Sequence, residues 1–190
     1  MPNKFTNSPA AVRVAPFFVF LLLTFLQGKF GEESRYWFYL AKTLVGAAMI
    51  WAVRPYVTEL RWKFSWEAVA VGIVVFVLWV GLDNFYPHLG NAGEPWNPHQ
   101  QFSSGSSLAT LFIAVRVLGS SLVVPPLEEV FYRSFIYRSI IRADFHSIPL
   151  GRFHWGAFLI ASAIFGLTHR EWLAGILCGF AYQDLVWFCN

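Results

Sequence analysis

The chain has 190 residues, of which 56% are hydrophobic, 19% aromatic and only 13% charged, with a mean hydropathy of +0.50. A soluble domain carries about 25% charged residues; half that share leaves too little polar surface to cover a water-soluble globule, and the length leaves no room for a sizeable soluble domain beside a membrane one. The net charge of +3 does not point to nucleic acid, because the basic residues are dispersed at segment ends and no nucleic-acid motif occurs. The only cysteines, Cys178 and Cys189, lack CxxC spacing and give no disulfide framework.

A spanning helix needs about 20 mostly apolar residues. Val14–Gln27 is apolar but short, and reaches that length through Ala10–Val12 if Arg13 is tolerated. Lys4 and Arg13 ahead of it resemble a signal-peptide n-region, but no small-residue cleavage site follows, so an uncleaved helix is expected. Tyr36–Val53 is the second segment, with Lys42 in its first turns, where the amine can snorkel. Glu67–Leu82 is the third. Leu108–Val124, interrupted by Arg116, is the fourth, Phe153–Leu167 the fifth and Trp172–Phe188 the sixth. These segments predict an all-α, polytopic transmembrane helical bundle of six or seven helical segments. Residues 1–190 form a single integral-membrane domain on this reading, with N-terminal helices and an outer loop in 1–107 and a core in 108–190.

The long loop Asp83–Ser107 holds no Lys or Arg, whereas Arg54, Arg61 and Lys63 follow the second segment and Arg138, Arg142 and Arg152 surround the loop before the fifth. The positive-inside rule then puts the N-terminus and both basic loops in the cytoplasm and Asp83–Ser107 outside. Lys29 and Arg35 in the first outer loop count against that orientation. Nine Trp, seven Tyr and twenty Phe suit interfaces on both sides of a bilayer.

From Leu108 to Arg142 the helical pattern runs unbroken for 35 residues, roughly 50 Å against a hydrocarbon core of ~30 Å. Pro125-Pro126 is the expected break, with a separate or kinked helix starting near Leu127. Glu128 and Glu129 then fall in a first helical turn, where free N–H groups favour negative charge. Glu129 and Arg133 stand at i, i+4, the spacing of a same-face ion pair. Glu128 is expected about 100° away around the helix, off the face that Glu129 shares with Arg133. Arg133 is therefore expected to hold Glu129 ionised, leaving Glu128 to act as a general base.

His169 closes the fifth segment, with Phe165 one turn before it on the same face. Glu128 lies 14 residues from Arg142, and His169 17 residues from Arg152. These are roughly 21 and 26 Å along two helices. An antiparallel hairpin would place acid and imidazole at similar depth, where they could share one water. Gly175 and Gly179 form a Gly-x-x-x-Gly, expected to seat the sixth helix against the fifth, with Ala157, Ala161 and Ala163 as the complementary surface.

Glu-Glu-x-x-x-Arg at 128–133 followed by Phe-x-x-x-His at 165–169 resembles the CAAX protease and bacteriocin-processing family of intramembrane proteases. The wording of 76–83, 123–129 and 172–175 resembles the exosortase/PEP-CTERM-associated CAAX-protease-related proteins of bacteria. The resemblance implies proteolysis without a covalent intermediate. Glu128 and His169 would activate water, supported by Glu129, Arg133 and Phe165, with no cofactor and no metal. It also implies a membrane-anchored protein or peptide as substrate and a multi-pass location in a bacterial inner membrane. One departure stands out. The family carries a further His-x-x-x-Asn or His-x-x-x-Asp helix thought to stabilise the oxyanion, and no histidine follows His169. His88 and His99 fall in the outer loop and His146 and His154 near a basic loop, so none is placed to replace it. The core is therefore expected to lack its final helices, as in a truncated chain. Two other functions compete: a non-catalytic membrane binder of the immunity type, and a zinc metalloprotease using Glu128, Glu129 and His169. The second lacks His-Glu-x-x-His.

Overall fold

The computed structural model describes residues 5–60, 65–90 and 95–188. The described residues are all-helical, without a strand, as the sequence predicts. Seven helices follow in order: α1 (Ala11–Leu26), α2 (Ser34–Val53), α3 (Trp66–Leu82), the short α4 (Pro98–Phe102), α5 (Ser107–Ile141), α6 (Trp155–Leu167) and α7 (Trp172–Phe188). By length and composition α2 and α5 are apolar enough to cross a membrane. The chain divides into two compact units, one of residues 1–60 and 94–131, the other of 61–93 and 132–190.

In the first unit α1 and α2 pack against each other, α2 also lies along α5 from its first turns to Glu128, and α1 touches α5 at Val124–Glu128. Val12, Val53, Val57, Leu60 and Val130 form the apolar centre. Arg13, which the sequence offered only as a tolerated intruder, forms a fork-to-fork pair with Glu59: Nε reaches Oε1 and Nη2 reaches Oε2, both at 2.9 Å. The two side chains are 2% and 5% exposed. A planar guanidinium matches a carboxylate in this way, and burial raises what is lost if either partner is removed. The pair ties the start of α1 to the turn after α2. The start of α2 meets residues 95–102 instead, through Tyr36 against Trp96 and Phe102 and through Arg35 donating to the Pro95 carbonyl. Gly46 lets α5 approach α2: a Cβ there would lie 2.8 Å from Val123 Cγ1 and 3.4 Å from Leu127 Cδ1.

Lys42 does not snorkel. It is buried, donates to Thr24 Oγ1 at 3.1 Å, and lies 4.5 Å from the Tyr39 ring centroid and 4.9 Å from that of Phe20. The ring faces take the place of solvent around the ammonium.

The second unit is built on α6 and α7, with α3 packed on α7. The Gly-x-x-x-Gly performs the seating that the sequence suggests. A Cβ on Gly175 would lie 2.8 Å from Gly166 Cα, and one on Gly179 would lie 3.0 Å from Ser162 Cα. The complementary surface is thus Gly166 and Ser162, with Ala157 and Ala161 buried beside them and Ala163 less covered. His154 caps α6, its Nδ1 accepting from the Ala157 N–H at 3.2 Å. On α3 only Val75 is buried, while Ile73, Phe76, Val77 and Val80 face outward. An apolar helix so little covered by protein suits a lipid environment.

Of the separate or kinked helix expected after Pro125-Pro126, the separate helix is not found. α5 is continuous over 35 residues, because two wider π-helical stretches, Gly119–Val123 and Glu129–Tyr137, flank a short α turn that contains both prolines. The Val124 N–H bonds five residues back to the Gly119 carbonyl. That wider winding precedes the prolines, which lack donors and would crowd a normal α turn. The Glu129 N–H is shared between the Pro125 and Pro126 carbonyls. It is therefore not a free donor of a new helix, as the sequence reading had it.

Candidate active site

Glu128 and Glu129 are half-buried in the first unit, between the buried side chains of Leu127 and Val130. Leu127 packs toward Gly46 of α2. This seating turns one face of α5 into the helix bundle and fixes the rotation of the glutamates about the helix axis. The change to π winding begins at Glu129 itself. Such insertions are uncommon and frequent at functional sites.

His169, Phe165 and Arg133 lie in the second unit. His169 follows the end of α6, with its backbone N–H on the Gly166 carbonyl at 2.9 Å. Its Nδ1 is 2.7 Å from the Phe165 carbonyl. A carbonyl only accepts, so Nδ1 carries the proton and Nε2 is the basic nitrogen of the neutral ring. The i, i+4 relation read from sequence therefore has two uses: the Phe165 carbonyl sets the tautomer, and the Phe165 ring packs 4.6 Å from the imidazole.

The brace around this histidine was not foreseen. Tyr132 meets the Phe165 ring edge to face at 5.1 Å, and its hydroxyl is 3.1 Å from Thr168 Oγ1. Thr168 Oγ1 in turn donates to the same Phe165 carbonyl at 2.7 Å. Trp79 of α3 presents its indole at 82° to the imidazole, 5.6 Å away. The available signals were short-range: Thr168 adjoins the histidine, and Tyr132 stands four residues after Glu128. Trp79 comes from a helix 90 residues away in sequence; it lies in the stretch 76–83 that carries the resemblance, but nothing there pointed to a contact with the histidine.

Arg133 lies 5.0 Å over the Tyr182 ring. It lines a small cleft of about 30 Å³ with Tyr137, Arg138, Arg152, Phe158 and Gln183. Arg138 is committed to structure, donating to Ser134 O, Ser134 Oγ and the Ile148 carbonyl. Gln183 donates to Ser162 while its Oε1 is buried without a partner. Pro149, Leu150, Phe153 and Phe158 make most of the exposed lining apolar, with the Arg133 and Arg152 side chains at its polar edge.

Among the described residues, Asp83, His88 and Glu171 form a group with metal-ligand spacing, also in the second unit. His146 is exposed in the loop before α6, and His99 belongs to α4 with a buried, unpartnered Nδ1.

No curated protein and no solved structure matches the chain. Residues 109–188, which span Glu128, Glu129, Arg133, Phe165 and His169, match the family model described as type II CAAX prenyl endopeptidase Rce1-like, so that this part of the chain is similar to a family of CAAX proteases.

Proposed function

We propose that the chain is a multi-pass CAAX-type intramembrane endopeptidase that cleaves a membrane-associated protein or peptide. In this reading Glu128 takes a proton from water as that water attacks the scissile carbonyl carbon. His169 Nε2 accepts a hydrogen bond from the same water and orients its lone pair. The proton then passes to the leaving amine, without a covalent intermediate. Glu129 and Arg133 support the acid, and Phe165 holds the histidine. A kinship with exosortase-associated CAAX-protease-related proteins belongs to the same proposal, as does a bacterial inner-membrane location.

The observation that carries the reading is the build of the Phe-x-x-x-His motif. Histidine, threonine and tyrosine converge on one backbone carbonyl and one ring, and the tautomer leaves Nε2 as the base. These bonds fix the ring and its tautomer, as a base that must stay oriented requires. The motif lies within the stretch matched by the family.

The test is turnover of lipid-anchored peptides by the protein in proteoliposomes. His169→Ala is expected to lower kcat by about 10²- to 10⁴-fold, the usual contribution of a positioned proton-transfer group. Equal turnover by the variant would refute the assignment.

A further inference from the structure

The geometry points to a divalent-cation site at Asp83, His88 and Glu171, which we propose binds a first-row metal ion such as Zn²⁺. The three donor atoms lie within 4.8 Å of one another. Around a tetrahedral Zn²⁺ with bonds of about 2.0–2.2 Å, neighbouring donors stand about 3.3 Å apart. His88 Nε2 and Asp83 Oδ1 are already 3.0 Å apart, so closure asks only for a rotation of the half-buried Glu171.

A second observation concerns the imidazole. His88 Nε2 is sealed from solvent and has no hydrogen-bond partner. Its polar neighbour is Asp83 Oδ1, an ion-pair contact at 3.0 Å from a carboxylate whose side chain is 47% exposed. A shared cation would hold this ring nitrogen and carboxylate oxygen together with Glu171, whose donor atom lies within 4.8 Å of both. Two carboxylates and a neutral imidazole carry −2, which the cation neutralises.

The frame is prepared. The Leu89 N–H bonds to the Arg170 carbonyl at 2.9 Å, Trp172 Nε1 donates to the Pro87 carbonyl at 2.9 Å, and the Ala174 N–H reaches the Tyr86 hydroxyl at 3.4 Å. These bonds hold the loop after α3 against the turn between α6 and α7. A metal ion there would add a staple two residues from His169. Its role is structural, holding the turn that carries the histidine. Arg170 competes for the place: its guanidinium lies 3.4 Å from His88 Nδ1 and 3.8 Å from Glu171 Oε1, and its side chain is 42% exposed. On binding, Nδ1 takes the proton and Arg170 swings outward.

The experiment uses the full chain, purified in detergent and stripped of metal, with Zn²⁺ and Co²⁺ as probes. One ion per chain is expected, with a rise in Tm. His88→Gln and Glu171→Gln should each weaken binding at least tenfold, and Arg170→Ala should tighten it. The elution profile and helicity report whether each variant folds. A second readout needs no variant: the Co²⁺ spectrum should show nitrogen and oxygen ligation without a thiolate charge-transfer band. Absence of stoichiometric binding would overturn the proposal, as would binding unchanged in folded His88→Gln or a thiolate signature from Cys178 or Cys189. Each readout is independent of proteolysis, so a failed metal site leaves the protease reading standing.

Discussion

A single methyl group at Gly166 should separate a packed seam from an open helix surface. A Cβ there would lie 2.3 Å from Ile176 Cγ1, 2.6 Å from the Ile176 nitrogen and 2.6 Å from the Trp172 carbonyl oxygen. Side chains can rotate away from such a contact, but two of these three atoms belong to the α7 backbone. Overpacking a tight site costs about 1–3 kcal/mol, and the backbone contacts place Gly166→Ala at the upper end, about 3 kcal/mol. That is roughly a hundredfold in the folding equilibrium at 1.36 kcal/mol per factor of ten. Gly72 on α3 supplies the control, since nothing lies within 4 Å of its added Cβ. Relief of glycine's conformational entropy should make Gly72→Ala neutral or more stable by about 0.5–1 kcal/mol. Thermal unfolding in detergent, followed by fluorescence-detected size exclusion, should therefore order the proteins Gly72→Ala, wild type, Gly166→Ala. Proteolysis should fall along with stability in Gly166→Ala, because the Gly166 carbonyl holds the backbone of His169. A Gly166→Ala protein as stable as wild type would refute the account of the α6–α7 seam.

Three further outcomes can be checked by similar means. Arg13→Ala should cost about 3–5 kcal/mol by leaving the Glu59 carboxylate buried without its partner, and pairing it with Glu59→Leu should recover part of the loss; an additive double variant in thermal unfolding would contradict this. Lys42→Met keeps the side-chain stem and removes a buried charge, so stability should be unchanged or higher; a loss exceeding about 2 kcal/mol would show the ammonium to be needed. Tyr132→Phe removes the hydroxyl that reaches Thr168, costing about 1 kcal/mol of stability and lowering kcat severalfold with KM unchanged; the opposite split would place Tyr132 at substrate binding instead.

The helices were legible where hydrophobic runs end in polar residues. The third, fifth and sixth segments were expected at Glu67, Phe153 and Trp172, and α3, α6 and α7 begin at Trp66, Trp155 and Trp172. The separate helix expected after the prolines does not form: the rule for proline assumes α winding on both sides. The π turns on either side change the donor arithmetic, and their placement depends on how α5 seats against Gly46, which no local pattern encodes. Arg13 and Lys42 were misread for a related reason. Composition prices a charge in an apolar helix, but its partner decides where it lies, and Glu59 is 46 residues from Arg13. At the site, Phe165 and His169 were legible as a helical pair. The use of the Phe165 carbonyl was not, since backbone acceptors carry no sequence signature. The small-residue seam was half legible: Gly175 and Gly179 showed themselves, while their counterpart Gly166 was hidden in the motif that carries the histidine.

The most direct test of the central claim is cleavage of a panel of membrane-anchored peptides, including a prenylated CAAX peptide, by purified wild-type protein and by Glu128→Ala. The account predicts cleavage by the wild type and its loss in a Glu128→Ala protein that remains folded. Cleavage that survives in Glu128→Ala, or no cleavage of any peptide by folded wild type, would contradict it.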